Sequence, residues 1–106
     1  MRVSAFQNAS NRETYEVKKN GLPFDLTAAG VTRIEVVKGG KVIDSTTSDV
    51  TYSGTSLSIE WGALDLTSGS FSPTIYAYKA GDLKGEVLFA PTQSPILLQV
   101  LPDERP

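Results

Sequence analysis

The sequence predicts an all-β domain, built as an antiparallel two-sheet β-sandwich of about seven to nine short strands. Three observations predict it. Apolar and polar residues alternate with period two along most of the chain, no long window shows helical spacing with caps, and glycine-containing turns punctuate the strands at short intervals. A two-sheet antiparallel arrangement is favoured over a parallel sheet, because no crossover helix is available. A small closed barrel is the competing architecture.

The elements follow in order. Residues 1–10, MRVSAFQNAS, carry one arginine and no long apolar run, so they do not read as a secretory leader, and no later stretch approaches the length of a membrane span. Asn8-Ala9-Ser10 fits the glycosylation pattern, but without an export signal it reads as chance. Tyr15 and Val17 share a strand face opposite Thr14, Glu16 and Lys18, and Asn20-Gly21 supplies a turn. Pro23-Phe24-Asp25-Leu26-Thr27 reads as a connector, with Asp and Thr side chains bonding nearby amides while Leu26 drops into the core. Thr32, Ile34 and Val36 share the next face, and Gly39-Gly40 marks a hairpin with Lys41-Val42-Ile43. Ser53-Gly54 marks another turn, before the clearest alternation in the chain, Leu57, Ile59 and Trp61 against Ser56, Ser58 and Glu60.

Asp-Leu-Thr recurs at Asp65-Leu66-Thr67, ahead of the Ser68-Gly69 turn, and the loosely matching flanks favour a repeated connector over a duplication. Ile75 and Ala77 alternate with Tyr76 and Tyr78, Ala80-Gly81-Asp82 turns the chain, and Val87 and Phe89 flank Leu88. The closing strand Pro95-Ile96-Leu97-Leu98-Gln99-Val100-Leu101-Pro102 puts Ile96, Leu98 and Val100 on one face and Leu97 and Leu101 on the other. Residues 1–106 thus read as one domain, with 102–106 as a short solvated tail.

Composition narrows the chemistry. Ten Lys and Arg against twelve Asp and Glu give a formal net charge of -2 without a basic stripe, so no nucleic-acid partner is expected. The chain has no His and no Cys, which removes the Ser-His-Asp and Cys-His nucleophile arrangements, disulfides and most zinc sites. Asp44 with Asp49, or Asp82 with Glu86, are the carboxylate pairs left, and each lies beside turn residues. Ser45-Thr46-Thr47-Ser48-Asp49 is rich in oxygen but carries one carboxylate, and Gly39-Gly40-Lys41 lacks the spacing of a phosphate loop. The expectation is a non-enzyme with no cofactor, no metal and no membrane partner.

Two surfaces stand out instead. Tyr76 and Tyr78 point away from Ile75 and Ala77, so both rings face outward on one strand. Leu97 and Leu101 form a surplus of apolar surface, against either a partner or a covering segment that contains Phe6. Trp61 is read as core, because its phase continues that of Leu57 and Ile59.

The run NGLPFDLTAAGVTRIEVVKGGKVIDS, the middle strand ending in Trp61, LTSGSFSPTIYAY and the final PILLQV together resemble the Ig-like domains of tailed-phage structural proteins. The likeness is especially to the N-terminal domain of baseplate upper proteins. Asp25, Leu26 and Thr27 match one signature of that family, Gly69 with Phe71 matches a second, and the resemblance covers roughly residues 13–101. It implies an immunoglobulin-like β-sandwich and a virion structural or assembly protein of the tail, baseplate or head-neck complex, made in the host cytoplasm. Its partners would be other virion proteins or further copies of itself in a homo-oligomer, met through Tyr76, Tyr78, Leu97 and Leu101. With the sequence closing at Pro106, the expectation is of a domain without the long fibre or receptor-binding region that such proteins often carry. The alternative is a carbohydrate-binding or adhesin-like module using Trp61 or the Tyr76 and Tyr78 face.

Overall fold

The computed structural model describes residues 2–7, 9–19, 22–81, 84–89 and 97–102. Twelve strands occupy most of them: β1 Arg2–Phe6, β2 Arg12–Glu16, β3 Lys18–Lys19, β4 Leu22–Pro23, β5 Val31–Lys38, β6 Lys41–Asp44, β7 Val50–Ser53, β8 Ser56–Glu60, β9 Gly69–Phe71, β10 Thr74–Lys79, β11 Glu86–Phe89 and β12 Leu97–Leu101. A single 3-10 turn, Trp61–Leu64, follows β8, and among the described residues no helix is long and apolar enough to cross a membrane. The strand count exceeds the expected seven to nine, because short strands add to it: β3 and β4, two residues each, form a ribbon of their own, and β9 has three residues.

The strands hydrogen-bond in the orders β11-β10-β5-β6, β2-β8-β7 and β1-β12-β9, with β3-β4 as a separate ribbon. Among the described residues all pairings are antiparallel except β1 with β12, which run parallel from Arg2 beside Leu97 to Phe6 beside Leu101. A wholly antiparallel structure was expected. The difference arises because this pair joins opposite ends of the chain and needs no crossover helix of its own.

Two hairpins follow the glycines as expected. Gly39 and Gly40 both take positive φ, 58° and 77°, the requirement of a two-residue turn that matches strand twist. Gly54 with φ 57° opens the β7–β8 turn. Ser68-Gly69 instead leads directly into β9, and Asn20-Gly21 lies outside the described residues.

One hydrophobic core collects the inward residues of every large sheet. Ile34, Val36, Ile43, Ile75 and Ala77 come from the four-stranded sheet, Val50, Leu57 and Ile59 from β7 and β8, and Val3, Ala5, Leu98 and Val100 from β1 and β12. The face of β5 differs from expectation at its start: Val31 is buried and Thr32 exposed, because the β5–β10 register shifts between Tyr78 and Lys79. That bulge lets the first turn of β5 cover the core with Val31.

The Asp-Leu-Thr connector behaves as predicted at its first copy. Asp25 Oδ1 accepts from Ala28 N–H at 2.9 Å, Leu26 is fully buried, and Thr27 Oγ1 accepts from Gly54 N–H at 3.1 Å. Leu26 N–H in turn donates to the Gly54 carbonyl at 2.8 Å, so the connector and the β7–β8 turn hold each other. The second copy is not equivalent. Asp65 is the left-handed cap of the 3-10 turn, with φ 51°, and the leucine that fills the core there is Leu64 rather than the half-buried Leu66.

Trp61 is buried, though as the first residue of the 3-10 turn and not as the last of a strand. The turn is tied down from the N-terminal side. Glu60 Oε1 accepts from Asn11 N–H and, at 3.1 Å, from Gly62 N–H, while Trp61 N–H donates to the Asn11 carbonyl at 2.9 Å. This brings the Ala9 carbonyl so close to Gly62 that a Cβ there would run into it. Gly62→Ala should therefore destabilise the fold by about 1–3 kcal/mol, the usual range for overpacking, read as a lower urea midpoint at unchanged slope.

Candidate interface

The outer face of the four-stranded sheet is set by cross-strand register. Tyr78 lies opposite Arg33, Tyr76 opposite Glu35, and Glu35 in turn opposite Asp44, while Thr74, Val37 and Val42 form the next row. With Ile75 and Ala77 committed to the core, Tyr76 and Tyr78 take the outer face, both half-buried.

Two carboxylates directly across a strand pair repel each other. Arg33 relieves this: its Nη1 sits 3.6 Å from Glu35 Oε2 and 3.7 Å from Asp44 Oδ2. The same guanidinium lies over the Tyr78 ring, 4.1 Å from its centre. Tyr78 O–H donates to Glu35 Oε1 at 3.1 Å and closes the cluster. Each partly exposed ion pair is worth little alone, and a cation over an exposed ring adds about 0.5–1 kcal/mol. Their joint effect is geometric: four side chains are held in one arrangement. Burial raises the Tyr78 hydroxyl pKa first, and its hydrogen bond to Glu35 raises it further, with Arg33 opposing. The Gly85 backbone closes against the ring; a Cβ there would stand 3.0 Å from Tyr78 Cζ, which explains a glycine at that point of the β10–β11 connection.

The second patch lies on a different sheet. Phe6, half exposed at 50%, stands beside the partly buried Leu101 in the parallel β1–β12 register. The N-terminal strand therefore flanks Leu101 and continues the apolar surface. Leu97 belongs to β12, with its side chain outside the described residues. The four sequence candidates thus form two separate groups, Tyr76 with Tyr78 on β10 and Leu97 with Leu101 on β12.

Sequence reasoning missed Arg33 and Glu35, and it weighed Asp44 only as a carboxylate partner of Asp49. A signal existed: a two-residue turn at Gly39-Gly40 fixes Lys38 opposite Lys41 and hence Glu35 opposite Asp44, a like-charged pair that calls for a cation. Asp44 has further duties, since its Oδ1 accepts from Thr46 N–H at 3.0 Å and from Thr46 O–H, while Thr47 Oγ1 bridges the loop to Asp49 N–H at 3.2 Å. The side chains of Ser45, Thr46 and Thr47 are thereby turned onto their own loop and onto β5, where Ser45 Oγ accepts from Ile34 N–H at 3.0 Å. Of the other carboxylate pair, Asp82 and the Glu86 side chain lie outside the described residues.

Trp61 is not a surface platform. It is 2% exposed, its Nε1–H donates to Tyr15 O–H at 2.7 Å, and the two rings meet edge to face with centres 6.4 Å apart. No protein-family model, curated protein or solved structure matches the chain.

Burial pushes the Tyr15 hydroxyl up from 10.0 to about 12, the Trp61 donor opposing and the Glu13 charge adding. A raised folded-state value means the unfolded chain releases this proton first as pH rises. The stability that Tyr15 contributes is therefore complete below pH 10.0 and is lost as pH climbs towards about 12. Urea unfolding across that window should show the decline, and Tyr15→Phe should make it shallower.

Proposed function

We propose that this chain is an immunoglobulin-like sandwich serving as a structural or assembly component of a phage virion, in its tail, baseplate or head-neck complex, and acting through protein–protein contacts. The observation that carries the reading is the order of strand pairing. In chain order, β2, β5, β6, β7, β8, β10 and β11 are assigned the places B, C, C′, D, E, F and G, while β1 pairs with β12 and not with β2 and so is given no place. The pairing β2-β8-β7 then corresponds to B-E-D, and β11-β10-β5-β6 to G-F-C-C′, the two sheets of that architecture.

The residues behind the family resemblance support it with a physical role. Asp25, Leu26 and Thr27 form the connector between the B and C positions, and Gly69 with Phe71 spans β9, where Phe71 packs against the core. Membership of a virion rests on that resemblance; the fold by itself hosts many activities.

The carbohydrate-binding alternative would need free aromatic faces. Trp61 is core, and Tyr78 already carries Arg33 on its ring and Glu35 on its hydroxyl. The same cluster suits a protein partner, because it presents fixed aromatic and charged groups beside the exposed Val42. The encoding gene should accordingly stand among capsid, portal or tail genes, whereas polysaccharide genes beside it would favour the alternative.

The direct test is particle incorporation. The chain should band with assembled virions in density gradients and be found there by mass spectrometry. Leu97→Ser with Leu101→Ser should lower that incorporation while β-type circular dichroism persists. Particles that assemble fully and never contain the chain would overturn the virion reading.

A further inference from the structure

We propose that the free edge of β2 pairs with the β2 edge of a second copy of this chain, antiparallel and about a two-fold axis at Thr14. Among the described residues, the strand partner of β2 is β8 alone. Backbone polarity along β2 follows from the bonds at its two ends. Trp61 N–H donates to the Asn11 carbonyl at 2.9 Å and Val17 N–H to the Thr55 carbonyl at 2.8 Å, so residues 11, 13, 15 and 17 aim their backbone groups at β8. Successive residues of an extended strand aim them at opposite sides. Arg12, Thr14 and Glu16 therefore direct their N–H and C=O groups out of the sheet edge, where a further strand can take them up.

That edge is self-complementary. A two-fold centred on Thr14 makes Thr14 a hydrogen-bonded pair with its own copy and sets Arg12 opposite the partner's Glu16, and does so twice. Opposite charges directly across an antiparallel pair stabilise it. Sliding by two residues sets Arg12 against the partner's Thr14 or against the partner's Lys18, so either slip loses both ion pairs.

Arg12, Thr14 and Glu16 are all exposed. Arg12 lies back over its own sheet, with Nη1 donating to Ser58 Oγ at 3.0 Å and Nη2 to the Ser48 carbonyl. A guanidinium has five N–H donors, which leaves others for the partner's Glu16. Among the described residues no ion pair engages Glu16. The product is an isologous dimer with one continuous sheet, β7-β8-β2 of each copy meeting edge to edge. A contact of five residues per copy buries little area, so the dimer is weak and sensitive to salt.

The inference rests on the pairing of β2 and not on the virion reading, so a monomer would leave that reading standing, and absence from particles would leave the dimer standing. The experiment is sedimentation of the full chain over rising concentration, up to about 1 mM, at low and high salt. Wild type should associate, less so at high salt. Arg12→Glu and Glu16→Arg should each weaken association at least about tenfold, since each sets like charges across both contacts. An equal mixture of the two variants should recover it, because every mixed contact then pairs Glu with Arg, and the double variant R12E/E16R should associate like wild type. Circular dichroism checks that each variant is folded; should Arg12→Glu fail to fold, Glu16→Arg against wild type carries the test. A wild type that stays monomeric throughout, or association that neither substitution weakens, would overturn the proposal.

Discussion

The structure depends on one reciprocal contact between distant loops. Leu26 donates its N–H to the Gly54 carbonyl, Gly54 donates its own to Thr27 Oγ1, and the Leu26 side chain fills the core beneath them. The connection from β2 to β5 carries the chain from one sheet to another. Without a fixed crossing, the inward faces of the two sheets would have no set relation. Burying Leu26 is worth roughly 1.5–3 kcal/mol, and the two hydrogen bonds satisfy backbone groups that an irregular segment would otherwise leave unpaired. Val17 N–H bonding to the Thr55 carbonyl and Phe24 N–H to the Val17 carbonyl extend the same lock to both ends of the β3–β4 ribbon.

A second tie closes the other end of the core. Glu60 reaches the backbone of Asn11 and Gly62, and Trp61 reaches Tyr15. In the two ties, the side-chain oxygens of Thr27 and Glu60 hold segments that lie between strands. The groups left facing outward are surface: the Arg33, Glu35, Asp44 and Tyr78 cluster, the Phe6 and Leu101 patch, and the edge of β2. The proposed protein contacts rest on these surface groups.

Much of the fold was legible, because period two is a local property. Leu57 and Ile59 against Ser56 and Ser58, Ile75 and Ala77 against Tyr76 and Tyr78, and the turn at Gly39-Gly40 each needed only neighbouring residues to read. What escaped was nonlocal. The parallel pairing of β1 with β12 joins the two ends of the chain, the bulge that buries Val31 answers the register of β10, and the side chain of Glu60 acts on a segment forty-nine residues earlier. The second Asp-Leu-Thr misled for the same reason: identical residues do different work when Asp65 caps a 3-10 turn by donating its N–H to the Gly62 carbonyl. Of the candidate site, the direction of Tyr76 and Tyr78 was legible, while the charges that fix Tyr78 required knowing which strand lies beside β10.

The central claim is that the Leu26–Gly54 contact joins the sheets into one cooperative unit. Native-state amide hydrogen exchange tests it most directly. The Leu26 amide should exchange as slowly as those of Ile34 and Leu57, through global unfolding alone, and its exchange should respond to urea with the same steep dependence. Fast, urea-independent exchange at Leu26 while Ile34 and Leu57 stay protected would mean that the connector opens on its own, and would contradict the claim.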